Sequence, residues 1–188
     1  MKKRSVLFAF ITFLVCNITL AQALKEVAPP FNIKTVTFVQ NGQNTVPVFK
    51  LYDSFELQFD DLYGNEANYY YEISHCDYNW NPSQLVKSEY IQGFDNQRIQ
   101  DYENSFNTLQ LYSHYRLSFP NKFTQFRVTG NYMLKILNED KEVVFSRKFI
   151  LFEDMVSVPL QIKRSRDIKD INHMHNLDFS VKSSAFTF

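Results

Sequence analysis

The chain has 188 residues, with 20 Lys and Arg against 20 Asp and Glu, and aromatic residues make up 16% of it. Charge this balanced excludes an ordinary nucleic-acid reader, which neutralises phosphates with a basic stripe. Beyond the first residues, the only basic cluster, Lys163, Arg164 and Arg166, is answered by Asp167 and Asp170.

The first element is a leader. Lys2, Lys3 and Arg4 precede an apolar run from Val6 to Cys16, and the small residues Ala21 and Ala23 follow, the pattern of a secretory signal peptide. That run of eleven residues is short of the roughly 20 needed to span a bilayer, so residues 1–23 are expected to be cleaved, after Ala21 or Ala23, with no membrane span retained. Cys16 follows Val15, where a lipid-attachment signal wants a small residue. Cleavage removes three basic residues, leaving 17 against 20 acidic ones, a formal charge of −3. The one remaining cysteine, Cys76, has no intramolecular partner in a compartment that permits disulfides. The 19 Phe, 11 Tyr and one Trp supply the apolar area for one core.

Strand patterning follows. Phe55, Leu57 and Phe59 alternate with Glu56, Gln58 and Asp60; Tyr115, Leu117 and Phe119 with His114, Arg116 and Ser118; Tyr132, Leu134 and Ile136 with Asn131 and Lys135. Period two with one apolar face means half-buried strands. Gly42, Gly64, Gly93 and Gly130 punctuate them as turn signals. Strands are expected near 33–40, 46–51, 54–60, 68–76, 111–119, 131–137 and 143–152, which predicts an all-β, immunoglobulin-like antiparallel β-sandwich over residues 24–154. Pro82 to Asn107 breaks the spacing and reads as a long, aromatic-pinned excursion with a helical turn. After Glu153, Val156–Ile162 and Leu177–Val181 each pattern as a strand, so residues 155–188 are expected to be a linker and the start of an incomplete second β domain.

The densest chemistry is NYYYEISHCDYNW, Asn68 to Trp80. A nucleophile reading of Cys76 beside His75 and Asp77 needs the base within reach of the thiol, but neighbours on a strand point to opposite faces. His75, Cys76, His114, His173 and His175 lack the paired spacing of a zinc site. Asp60 with Asp61, and Asp101 with Glu103, lack an EF-hand frame for calcium. A scaffold reading fits better: Tyr69, Tyr71, Ile73 and His75 form one face of a central strand, Asp77, Asn79 and Asn81 make turn contacts, Trp80 plugs the open end of the core, and Cys76 is a small buried hydrophobe. No catalytic residue, cofactor or metal ligand is assigned. A carbohydrate-binding β-sandwich, stacking exposed rings on sugars, is the alternative, with a single tryptophan to serve it.

The sequence resembles the type IX secretion system plug protein family of the Bacteroidota, in NIKTVTF at Asn32, FDDLYGNEANYYYEISHCDYNW at Phe59, SEYIQGF at Ser88, DYENSFNT at Asp101, HYRLSFPN at His114 and GNYMLKI at Gly130. That resemblance implies an exported periplasmic protein with an N-terminal immunoglobulin-like domain and no catalytic activity, which seals the periplasmic mouth of the outer-membrane translocon barrel. Members of the family are about twice this length, and the closing SSAFTF has no counterpart, so this chain is expected to bind the barrel but to seal it poorly. The excursion from Pro82 to Asn107 is the expected contact, with Tyr90, Phe94 and Tyr102 as candidate anchors that alternatively pin the loop to the core.

Overall fold

Alternating apolar side chains meet a second sheet in the computed structural model, which describes residues 23–183; the leader up to residue 22 and the last five residues of SSAFTF lie outside the described residues. One sheet has the order β2 (Gln43–Asn44), β1 (Ile33–Gln40), β4 (Phe55–Asp61), β8 (Ser113–Phe119), β7 (Asp101–Asn104). The other runs β3 (Val48–Lys50), β11 (Val143–Phe152), β10 (Gly130–Leu137), β5 (Tyr70–Cys76). The pairs β1–β2, β1–β4, β4–β8, β7–β8, β10–β11 and β5–β10 are antiparallel, with β4 and β8 in unbroken register from Phe55↔Phe119 to Asp61↔Ser113. The architecture is the expected immunoglobulin-like antiparallel β-sandwich, and each of the seven predicted strands is present in it.

The period-two residues build the core. Phe55, Leu57 and Phe59 on β4 and Tyr115, Leu117 and Phe119 on β8 are buried, as are Tyr132, Leu134 and Ile136 on β10. Rings bridge the sheets: Phe49 stacks on Phe55 at 4.0 Å between centroids, and Phe59 meets Phe145 edge-on at 5.2 Å. Such offset and edge contacts suit the ring quadrupole. On the central strand β10 the outward-facing Met133 and Leu137 are buried too.

Asn68–Trp80 does not hold a central strand: β5 is the edge of its sheet. Its free side is covered by the excursion, which contains α1 (Lys87–Tyr90), β6 (Ile91–Gly93) paired with β9 (Thr124–Phe126), and β7. β11 is also covered at its outer edge: Ile150 N–H donates to Pro47 O at 2.9 Å, Ser146 N–H to Val27 O at 3.0 Å, and Lys148 N–H to Glu26 Oε1 at 2.6 Å. Both covers hide backbone groups that would otherwise template pairing with another chain.

A second compact unit begins at Phe152. In it β12 (Leu160–Arg164) pairs antiparallel with β13 (His175–Phe179), placing Leu160 opposite Phe179 and Ile162 opposite Leu177. These strands lie a few residues from the expected 156–162 and 177–181, because the cross-strand match of Leu160, Ile162, Leu177 and Phe179 fixes the register. All four side chains are exposed.

Candidate functional site

Edge strand β5 and its excursion form the distinctive surface of the sandwich. Residues 96–99 run beside the start of β5: Asn96 N–H donates to Tyr71 O (2.6 Å), Tyr71 N–H to Gln97 O (3.3 Å) and Ile99 N–H to Tyr69 O (2.8 Å). At Ile73 a side chain replaces the missing strand, since Ile73 N–H donates to Asp95 Oδ2 at 2.8 Å while Lys87 Nζ donates to the same oxygen at 2.6 Å. Ser83 N–H donates to His75 O at 2.9 Å. From Asp101 the chain turns to the other sheet, where β7 pairs with β8 from Asp101↔Arg116 to Asn104↔Ser113. The excursion thus crosses from one sheet to the other at Gln100.

The three candidate anchors fall in different environments. Tyr90 is buried, with its hydroxyl donating to Ile73 O at 3.3 Å and its ring 5.6 Å from His75, so it pins the excursion to β5. Tyr102 donates to Glu66 Oε2 at 2.9 Å and stacks on Tyr115 at 5.4 Å. Phe94 alone faces solvent, 73% exposed. Its backbone is held from both sides, the N–H donating to Phe123 O (2.7 Å) and the carbonyl accepting from Thr124 Oγ1 (2.6 Å). Gly93 before it has φ +97°, and a Cβ there would stand 2.0 Å from Phe123 O, so only glycine lets the turn that presents Phe94 lie so close to the neighbouring backbone.

Within Asn68–Trp80, Tyr69 and Tyr71 are core residues: Tyr69 donates to Asp61 Oδ2 at 2.8 Å, and Tyr71 OH lies 2.8 Å from Thr124 Oγ1. Asp61 is itself buried and also accepts from Asn32 Nδ2 (2.8 Å) and Tyr63 N–H (3.1 Å). Burial, and then the hydrogen bond to Asp61, push the Tyr69 phenol far above its ordinary range. Burial likewise pushes the Tyr115 phenol up to about 12. His75 lies between the rings of Tyr90 and Tyr132, with Nε2 3.3 Å from Thr129 O. A Cβ on residue 130 would come within 2.4 Å of that nitrogen, so Gly130 makes room for the imidazole. Cys76 occupies the opposite face and is buried; burial, then the charge of Asp77, raises its thiol pKa, which keeps the thiolate scarce near neutral pH.

Asp77 is a turn hub. One carboxylate oxygen accepts the Asn79 and Asn81 N–H groups at 2.8 and 2.9 Å, and the other accepts Asn81 Nδ2 at 3.0 Å. The Asn81 side chain first, with the backbone donors, holds the carboxyl below its ordinary value. Trp80 corrects an expectation. It does not plug the core: it sits half-buried at φ +66°, outside the core cluster, with Lys148 Nζ 4.3 Å from its ring centroid. The tight turn at Asp77, with Trp80 N–H donating to Asp77 O at 3.0 Å, sends the ring to the outer face of the sheet, where Leu24 N–H meets Trp80 O at 2.7 Å.

Sequence reasoning missed Asp95, Arg98 and Lys122. Their importance comes from where the excursion crosses, and no local pattern encodes that. Among the described residues no group of three or more His, Cys, Asp or Glu is placed to hold a metal ion, and no helix is long and apolar enough to cross a membrane.

The family described as type 9 secretion system plug protein, first domain, matches residues 33–153. Among solved structures, a hypothetical protein from Parabacteroides merdae ATCC 43184 superposes with a TM-score of 0.75 at 30% identity, over 88% of this chain and 43% of that one. The chain therefore spans less than half the length of that protein. No curated protein matches the sequence.

Proposed function

The chain belongs to the type 9 secretion system plug protein family, and from that premise we propose that it acts in the periplasm as a non-enzymatic plug or adaptor. In this reading it docks at the periplasmic mouth of the outer-membrane translocon barrel and contributes to occluding it. The observation that carries the proposal is the reach of the family match, residues 33–153, which takes in the whole sandwich from β1 to β11 together with the excursion. The leader patterned in residues 1–23 supports export. Residues 155–183, with their exposed apolar strands, are proposed to open a second β domain.

The excursion is the docking face. It is the long departure from a plain sandwich, and of its two exposed rings, Phe94 and Phe106, it holds Phe94 on a backbone hydrogen-bonded from both sides, an arrangement that presents an aromatic anchor at little entropic cost. Tyr90 and Tyr102 serve by fixing that backbone.

Affinity purification of the tagged chain from its native cell envelope tests this. The barrel is expected to co-purify, and a Phe94→Asp chain with an unchanged thermal midpoint to recover about tenfold less of it. Complementing a plug-deleted strain should restore the barrier to dyes and large antibiotics at least in part. Absence of the barrel from the purified material overturns the proposal.

A further inference from the structure

Where the excursion crosses between the sheets it leaves a cleft of about 150 Å³, lined by Tyr71, Ile99, Leu117 and Phe123 among others, with Arg98, Arg116 and Lys122 also lining it. The physical origin is the mismatch between β7 and β8. β8 continues to Phe119, but its partner strand begins only at Asp101, opposite Arg116. Residues 98–100 diverge toward β5, and the space beside Leu117 and Ser118 is left unfilled. Drug-sized ligands and cofactors occupy pockets of about 300–1,000 Å³, so this cleft has room for one side chain of a larger partner.

Its charge is unbalanced in a specific way. Arg116 is neutralised within the molecule, its guanidinium reaching Asp101 at 3.3 Å and Glu103 at 2.8 Å. Arg98 and Lys122 are not: both are exposed, Lys122 Nζ donates to the neutral Gln100 Oε1 at 3.1 Å, and no described carboxylate stands within ion-pair range of either. The floor is fixed, with Tyr71 OH held by Thr124 Oγ1 at 2.8 Å and by Asn121 Nδ2 at 3.4 Å, and Asn121 Oδ1 accepting the Phe123 and Thr124 N–H groups at 2.9 Å each. An apolar floor that is rigid before binding, beside two cations without counter-charges, is complementary to an apolar side chain next to a carboxylate.

We propose that this cleft is a peptide-docking site that takes an extended polypeptide segment of a partner protein in which an apolar side chain adjoins an acidic one, the apolar group filling the cleft and the carboxylate lying between Arg98 and Lys122. The site deepens the docking role proposed above by naming the chemistry of the segment recognised, and it is tested on the purified chain without the barrel, so its failure is separable from failure of co-purification.

The probe is the blocked peptide acetyl-Gly-Gly-Phe-Asp-Gly-Gly-amide, titrated into the ¹⁵N-labelled chain and followed by amide chemical shifts. Shifts are expected at Ile99, Gln100, Leu117 and Phe123, with at least tenfold weaker binding when Phe-Asp becomes Phe-Asn or Ala-Asp. A R98E/K122E chain, altered only at exposed side chains, should keep its amide spectrum elsewhere and lose the binding. Equal binding of Phe-Asp and Phe-Asn, displacement by acetate as effective as by the peptide, or no localised shift at millimolar peptide overturns the proposal.

Discussion

Leu57 and Leu160 sit on strands with the same apolar alternation, yet Leu57 is fully buried and Leu160 is 58% exposed. Around Leu57 the alternating face of β4 is backed by a second sheet, and Phe49, Phe145 and Phe149 reach across to its neighbours. Around Leu160 the hairpin β12–β13 has two strands among the described residues, with Leu160, Ile162, Leu177 and Phe179 on one face and the Lys163–Asp178 ion pair, 2.6 Å, on the other. A two-stranded hairpin is marginal in water, and three or more strands or a packed layer are needed for independent stability. Alternation makes a strand capable of burial, and the presence of a facing layer decides whether burial stabilises it.

This contrast can be broken most directly at the centre of the sandwich. Phe59 is fully buried, stacked on Tyr115 at 5.0 Å and edge-on to Tyr69 and Phe145. Phe59→Ala is expected to cost about 3–5 kcal/mol, the range for emptying a large aromatic site, read from denaturant midpoints at constant slope. A loss under about 1 kcal/mol would mean that the ring network relaxes around the gap.

A smaller effect is expected at Trp80, which belongs to neither extreme. Half-buried against Lys148, it contributes some covered area and a partly exposed cation–π contact, so Trp80→Ala should cost about 1–2 kcal/mol. A cost equal to that of Phe59→Ala would put the ring back among the core groups. Lys148→Gln on its own should recover a minor part of the effect.

The turn that positions Trp80 gives a pH dependence. Asp77 has its folded pKa lowered by the Asn81 and Asn79 donors, so its contribution is present above the unfolded value of about 3.9 and is lost as pH falls through the lower folded value. The gap in thermal midpoint between the wild type and Asp77→Ala should therefore be constant from neutral pH down to about 5 and narrow below about 4. A gap that widens on acidification would reverse the sign and remove the hub assignment.

The smallest effect is expected in the second unit. Ile162→Asp alters a side chain that is already 63% exposed and should leave the unfolding midpoint of the sandwich within about 0.5 kcal/mol of wild type. A larger shift in that transition would show that the two units unfold together.

The local sequence determined the strands and their inward faces, because period-two alternation is a property of consecutive residues and of the pleat. Phe55, Leu57 and Phe59, Tyr115, Leu117 and Phe119, and Tyr132, Leu134 and Ile136 could be assigned to the core one by one, and the same logic separated His75 from Cys76. It also gave a family resemblance, carried by words spread along the chain. Tertiary structure alone decided strand order, and with it that β5 is an edge needing cover. That order depends on pairing between residues far apart in sequence, such as Asn131 with Cys76 and Asp101 with Arg116. It decided that Tyr90 is a pin while Phe94 is presented, although both lie in one aromatic-rich excursion, because exposure there follows from which backbone groups Phe123 and Thr124 hold. It decided the fate of Trp80, where a turn closed by Asp77 overrode the tendency of a large ring to enter the core. The cleft at Arg98 and Lys122 was illegible for the same reason: it is the gap left when a chain changes sheets, and a gap has no residues of its own to read.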